Sequence, residues 1–359
     1  MVITSELSIY FLNRFDIIRI YTPSYNYNQP FWSDINKDFG VWHTPSSRFV
    51  HSSPCFSAQY QSNNHGMRDK ERDKKSANKR FAVIGDSFVE GYGVNREERF
   101  TNLLEGDVGI EFLNFGTSGV FGLTQAALLY ESLASEFDHT DVIISILPFN
   151  DFSDDDIIFG KTLYSKRYRP YLVGDYPDYE IEYFKEKISS GRNEGKIHRK
   201  IMSFFREYTF TYNFMVMIRD RFFSSTDKFG LAGLTNTYTT DGWSGYFDVD
   251  NIQLNKMLWS LTQISKKANI SNRNLYLFVI PTRDDIRRLE SSKVLSKLQS
   301  YLNKTLPLLN IKYIPMTEKF VERSKEMKNI ETYYLSCDDH WNSKGNILAK
   351  DVIKNFLFQ

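Results

Sequence analysis

Cysteine is nearly absent from this 359-residue chain: Cys55 and Cys337 are the only two. With no C-x-x-C pair, the common structural zinc spacings and the thioredoxin-type redox motif are excluded. Nothing in the sequence pairs the two, so free thiols in a reducing compartment are expected. Charge of one sign is lacking as well. Forty-five Lys and Arg stand against 44 Asp and Glu, for a net charge of +1, which removes the concentrated positive surface that nucleic acid demands. None of the six histidines forms H-x-H or H-E-x-x-H, so no metal is expected. No apolar stretch reaches the roughly 18 to 20 residues that cross a bilayer. The N-terminal MVITSELSIYFLNRFDIIRIY is broken by Glu6, Asn13, Arg14, Asp16 and Arg19. It lacks the basic start, apolar core and small-residue cleavage site of a signal peptide. It is expected to be an amphipathic helix lying on the protein body, with peripheral membrane contact as the alternative. Together these absences predict a cytoplasmic protein. Internal repeats, long low-complexity tracts and Gly-rich phosphate loops are missing too.

What remains is an ordinary globular composition, 41% hydrophobic and 25% charged, in a length that allows one large domain or two modest ones. The densest charge run, RDKERDKKSANKR at 68–80, mixes both signs and is expected to be a solvated connector. Five apolar, β-rich runs stand at 81–84, 112–115, 142–147, 275–280 and 311–314. Helical patterns at 123–137, 252–268, 291–305, 317–328 and 343–356 alternate with them. Continuous apolar strands separated by amphipathic helices predict an α/β fold with a mostly parallel sheet covered on both faces.

Two regions stand outside that pattern. Residues 1–77 precede the sheet and have few apolar runs, so they are expected to form an arm or small subdomain packed on it. The third and fourth strands are separated by more residues than the 12 to 30 or so that a crossover needs. The stretch 152–251 is therefore an insertion. It carries 22 aromatic residues in 100, against 16% for the whole chain. With its Gly-containing loops at 189–195 and 235–245, it is expected to cap whatever lies beyond Asn150. Its aromatics can stack on sugar rings or simply pack a core.

Four segments carry chemistry. Gly85-Asp86-Ser87-Phe88 follows the first strand, where ligands of an open parallel sheet collect. Ser87 is placed there as a nucleophile, although Gly-Asp-Ser alone also makes a turn. Asn114-Phe115-Gly116-Thr117-Ser118-Gly119 follows the second strand and can turn backbone N–H groups toward developing negative charge. Ser118 is a rival nucleophile, but no glycine completes a G-x-S-x-G elbow around it. Pro148-Phe149-Asn150-Asp151 follows the third strand. Its amide can donate into the same crevice or form an Asx-turn. Asp338-Asp339-His340-Trp341-Asn342 precedes the last helix. His340 can act as base, and either Asp338 or Asp339 as its carboxylate partner.

These four ordered blocks resemble the SGNH, or GDSL-type, hydrolases. The resemblance covers roughly 78–151 and 272–359. It implies a three-layer α/β/α domain spanning 78–359, interrupted by 152–251, with a five-stranded flavodoxin-like sheet. It further implies Ser87 as nucleophile, His340 as base, and an oxyanion hole made by the Ser87 N–H, Gly119 and Asn150. Two departures stand out: Pro148-Phe149 where a glycine commonly precedes the asparagine, and Cys337 where D-x-x-H would place its aspartate. The D-x-H form followed by Trp-Asn resembles a branch containing carbohydrate O-acetyltransferases and O-acetylesterases, which implies Asp338 as the third triad member. On that basis the expected activity is removal of O-acyl, chiefly O-acetyl, groups from a carbohydrate or polysaccharide, without a cofactor. The alternatives are O-acetyl transfer, with acetyl-CoA as one possible donor, and a non-catalytic carbohydrate-binding protein on the same fold. Arg283, after the fourth strand, is a candidate for an anionic substrate group, and Trp341 for a sugar face.

Overall fold

The computed structural model describes the chain except residues 1, 16, 26–29, 54, 164–166, 185–196, 224–242, 292–294 and 359. Two antiparallel hairpins come first: β1 (Trp32–Asn36) with β2 (Gly40–His43), and β3 (Arg48–Ser53) with β4 (Phe56–Gln61). Then come β5 (Arg80–Gly85), β6 (Glu111–Gly116) and β7 (Asp141–Ile146). The insertion contributes a third hairpin, β8 (Pro170–Val173) with β9 (Glu180–Tyr183). Finally β10 (Asn274–Val279) and β11 (Ile311–Tyr313) complete a five-stranded sheet of order β11-β10-β7-β5-β6. Every neighbouring pair in it is parallel.

Each of the five runs becomes one of these strands. β5, β7 and β10, in the middle of the sheet, are buried at nearly every position, as strands covered on both faces require, whereas the edge strand β11 leaves Lys312 exposed. Alternation then divides the side chains between two layers. Ala82, Ile84, Val142 and Ile144 face the helices Leu123–Ser132 and Asn251–Asn269. Phe81, Val83, Ile143 and Phe278 face Phe100–Val108, Met316–Met327 and Ser343–Phe358. The crossover helix Asn251–Asn269 starts at a capping box: Asp250 accepts the Gln253 N–H and Gln253 accepts the Asp250 N–H, both at 2.8 Å.

The regions outside the sheet are tied to it. Phe39, Val41, Trp42 and Met67 share an apolar cluster with the sheet. The N-terminal helix Val2–Arg14 lies against the insertion helix Phe210–Phe223, where Glu6 accepts the Phe210 and Thr211 N–H groups at 2.8 and 2.9 Å. Such carboxylate capping satisfies donors that a helix start leaves open. The insertion loop 189–195, and residues 235–242 of the second loop, lie outside the described residues. Among the described residues no helix is long and apolar enough to cross a membrane.

Two expectations are corrected here. The charge run 68–80 is not a solvated connector throughout: Arg68, Asp69, Arg72 and Arg80 are buried. Their charges are paired in space with residues far along the chain. Arg72 meets Asp69, Glu105 and Glu111 at 2.7–2.9 Å, Arg99 meets Asp69 at 3.0 Å, and Arg80 meets Glu111 at 2.7 Å. Arg68 instead donates to the backbone carbonyls of Glu90, Gly91 and Val94. The cysteines are not free thiols either. Cys55, at the β3–β4 turn, is bonded to Cys337, with Cα atoms 5.6 Å apart. Folding brings the hairpin onto the acid–base segment, and no sequence spacing could announce that approach.

Candidate active site

In the sheet order β5 lies between β7 and β6. The chain runs from β5 outward to β6 and then returns to the other side for β7. This reversal opens a crevice at the carboxyl ends of β5 and β7. The three loops that carry Asn150, Ser87 and Gly119 leave the same edge in that spatial order, because the strands are parallel and in register (Gly85 opposite Gly116, Ile84 opposite Ile144).

Ser87 opens a four-residue helix, Ser87–Glu90, capped by Asp86, whose carboxylate accepts the Phe88 N–H at 3.0 Å. Burial pushes the Asp86 carboxyl up to about 6. The Ser87 Oγ lies 2.6 Å from His340 Nε2, and His340 Nδ1 lies 2.5 Å from Asp338 Oδ1. The same carboxylate oxygen accepts the His340 backbone N–H at 3.1 Å. A carboxylate can only accept, so Nδ1 donates to it, and Nε2 is left to take the Ser87 hydroxyl proton. Burial works to raise the Asp338 carboxyl, but the bond and charge of His340 outweigh it and hold the carboxyl below its usual range. Aromatic rings fix the imidazole: Tyr92 stacks on it with centroids 4.0 Å apart, and Phe88 lies 4.7 Å away. His51 of β3 meets the Tyr92 ring edge-on at 4.5 Å. Burial pushes the His51 pKa down to about 4.

The competition between Asp338 and Asp339 is resolved by geometry. Asp339 turns away to Arg283, whose Nε donates to it at 2.8 Å. Arg283 also meets Glu331 at 2.5 Å. It is thus engaged by two carboxylates, and its proposed role toward an anionic substrate loses its support. Trp341 is likewise displaced as a sugar contact. It is 2% exposed and stacks on Phe320 at 5.0 Å, with Phe88 edge-on at the same distance. An indole enclosed on these sides has no face left for a ligand.

Gly119 is exposed and adopts φ +105°, a left-handed conformation that glycine adopts without strain. Ser118 is buried, and its hydroxyl donates to Glu90 rather than to His340. Asn150 stands at the N-cap of helix Asp151–Asp154, but its side chain caps nothing there. Its Oδ1 is buried without a hydrogen-bond partner. The Asx-turn reading of Asn150 therefore has no bond to support it.

Sequence reasoning missed Glu90, His43, Tyr92 and Arg169. Glu90 is fully buried and accepts from the Trp32 indole at 3.0 Å and from Ser118. His43 Nε2 lies 3.1 Å from it, while His43 Nδ1 faces the Gly66 carbonyl at 2.7 Å. Burial works to raise the Glu90 carboxyl, but His43, Arg68 and Ser118 prevail and hold it low. Glu90 and Tyr92 sit within five residues of Ser87, so their proximity was available as a signal. Arg169 lies deep in the insertion and had none. Among the described residues no group of three or more His, Cys, Asp or Glu could hold a metal.

No family model matches this chain, and no curated protein matches it. Among solved structures it is similar to one from Desulfitobacterium hafniense DCB-2, described as a lipolytic protein of the G-D-S-L family. The identity is 12% and the TM-score 0.40, over 78% of this chain and 100% of that one. It is also similar to a member of the lipolytic protein G-D-S-L family from Veillonella parvula DSM 2008, at 11% identity and a TM-score of 0.39, over 78% of this chain and 98% of that one. Likeness at this level carries no weight in assigning chemistry.

Proposed function

We propose that this chain is a serine-dependent acyl-ester enzyme that removes O-acyl groups, chiefly O-acetyl, from a carbohydrate. The observation that carries the reading is the hydrogen-bonded series Ser87–His340–Asp338 at the crevice edge. Ser87 Oγ attacks the ester carbonyl while His340 Nε2 takes its proton, and Asp338 stabilises the imidazolium. The oxyanion is received by the N–H groups of Ser87 and Gly119 and by the Asn150 amide. Collapse of the intermediate breaks the C–O bond of the ester. The proton on His340 passes to the departing sugar hydroxyl, leaving acyl-Ser87. Water then attacks with His340 as base and regenerates the serine.

A second reading replaces water with a sugar hydroxyl and the ester with an activated acyl donor such as acetyl-CoA. Ser87 is only 9% exposed, and restricted water access would let an acyl-serine survive until an acceptor arrives. The test offers an acetylated sugar, and separately acetyl-CoA with free polysaccharide, to the wild type and to Ser87→Ala. Acetate release from the sugar ester supports hydrolysis; acetylated polysaccharide supports transfer. In both cases Ser87→Ala must be inactive while its circular dichroism is unchanged. Failure of a fluorophosphonate to label Ser87 would remove both enzyme readings and favour carbohydrate binding without catalysis.

A further inference from the structure

The loop 116–120 is the least self-sufficient part of this site. It presses on the nucleophile helix: a Cβ on Gly116 would lie 2.1 Å from the Glu90 nitrogen. The Ser118 hydroxyl is taken by Glu90, and the Thr117 hydroxyl donates to the Ser118 carbonyl at 3.3 Å. Beyond that point the backbone enters the left-handed region twice, at Gly119 (φ +105°) and at Val120 (φ +70°). Glycine adopts this conformation easily, but it is equally free to leave it. A β-branched residue there is strained and persists only where its surroundings impose it.

What imposes it is one side chain from outside the sheet domain. Arg169, just before β8 in the insertion and 1% exposed, donates from one terminal nitrogen to the Val120 carbonyl and from the other to the Gly119 carbonyl. The first nitrogen also faces Gln125 Oε1 at 3.3 Å. We infer that Arg169 is a positioning residue for acyl transfer. By gripping the Gly119 and Val120 carbonyls it fixes the two peptide planes that follow the Gly119 α-carbon. The Gly119 N–H lies in the plane before it, with the Ser118 carbonyl. It is aimed at the oxyanion because the left-handed turn at Gly119 is held between this clamp and the Thr117 and Ser118 hydroxyl bonds on its other side. It touches no substrate and acts only through the loop. A planar guanidinium suits this task because its two terminal nitrogens reach two acceptors in fixed geometry, which an ammonium cannot do. Burial excludes the water that would otherwise compete for the same carbonyls. The inference rests on the serine-esterase reading above. It also gives the insertion a share in the chemistry, beyond the covering of substrate expected from its sequence.

The test compares wild type, Arg169→Met and Arg169→Lys with three readouts: p-nitrophenyl acetate turnover, inhibition by phenylboronic acid (which forms a tetrahedral anion on Ser87), and circular dichroism. A displaced donor should lower kcat of Arg169→Met by about 10², with boronate affinity falling in parallel and KM within about threefold. Arg169→Lys should recover only part, remaining about tenfold below wild type, because one ammonium cannot hold both carbonyls in the same geometry. Should Arg169→Met fail to fold, Arg169→Lys decides alone. A folded variant whose kcat and boronate affinity stay within about twofold of wild type would overturn the inference, even if its melting temperature fell. The wild type in the same assay reports separately on the underlying reading: no turnover and no boronate inhibition would remove both.

Discussion

The acid–base segment 335–342 and the loop 116–124 flank one nucleophile and are held by different means. The first bonds mainly to itself and its neighbours. Leu335 N–H donates to the His340 carbonyl at 2.8 Å, Tyr334 bridges Trp341, and the Asn342 amide spans the Thr332 and Tyr334 carbonyls at 2.9 and 2.8 Å. The Trp341 ring anchors it in the core, and the Cys55–Cys337 bond staples it to the N-terminal hairpin. The second relies on buried charge supplied from elsewhere. Glu90 takes Ser118, Arg169 takes the carbonyls of Gly119 and Val120, and both oxygens of Asp155 accept the Thr124 N–H at 3.1 Å. Local bonds fix a segment whatever the rest of the fold does. Buried charges fix one only while every partner stays in place and in the right protonation state. The acid–base side should therefore yield to changes in its own few side chains, and the oxyanion side to changes in distant elements and in pH.

The largest effect expected is at the carboxylate. Asp338→Asn replaces a charged, acceptor-only group with an amide that can donate to Nδ1 and hold His340 in the wrong tautomer, so kcat should fall by about 10⁴. Asp339→Asn breaks only an exposed pair with Arg283 and should stay within about threefold. Steady-state kinetics on the two purified variants decides between them, and the reverse ranking would show that the carboxylate has been misassigned. Next comes Asn150→Ala, for which the loss of one oxyanion donor predicts a kcat about 10² to 10³ lower with little change in KM. A rise confined to KM would make Asn150 a substrate-binding residue and leave Gly119 as the main support of that side.

The uneven legibility of the molecule follows the same division. The central strands could be read from sequence because they are apolar at nearly every position, the edge strand β11 more weakly since Lys312 interrupts it, and the three crevice loops could be placed because chemistry-bearing residues follow β5, β6 and β7 directly. Spacing brought two carboxylates, Asp338 and Asp339, within reach of His340, and only the fold chose between them: Asp338 meets Nδ1 while Asp339 turns to Arg283. Charge in the run 68–80 was misread because alternating signs look solvated along the chain, whereas Asp69 finds Arg99, and Arg72 and Arg80 find Glu105 and Glu111, only once the chain has folded. Trp341 was misread because adjacency to a catalytic residue says nothing about which way a ring points. Cys55 with Cys337, and Arg169 with Gly119, are contacts of high sequence separation with no periodic or motif signature.

A smaller effect is expected at the staple. Opening a cross-link between residues 282 apart should lower stability by about 2–4 kcal/mol. Cys55→Ser, Cys337→Ser or treatment with a dithiol should thus shift denaturant midpoints clearly. The bonds within 335–342 remain, so kcat should drop far less than in Asp338→Asn. A reductant that abolished turnover at unchanged circular dichroism would mean that the disulfide, and not the local bonds, holds the acid–base geometry.

The smallest change in turnover, and the most specific to the charged side, concerns Asp154. Burial pushes its carboxyl up to about 8, despite the nearby Arg169 guanidinium, which works to lower it. A carboxyl whose pKa is higher in the folded than in the unfolded chain binds an extra proton when folded. Its contribution is then complete below the ordinary carboxylate value and declines as pH rises toward the folded value, by at most about 1.4 kcal/mol per pH unit, levelling off above it. Asparagine mimics the protonated form and does not titrate. Asp154→Asn should therefore flatten the fall in melting temperature between about pH 5 and pH 8 and leave the protein more stable than wild type at the alkaline end. Turnover near neutral pH should change little, since Asp154 is protonated there in the wild type as well. Melting curves of both proteins across this range test the point. An unchanged slope would mean that Asp154 stays ionised beside Arg169. The oxyanion loop would then be held by a full buried ion pair, and Arg169→Met, which strands that charge, should be far more destabilising than Asp154→Asn.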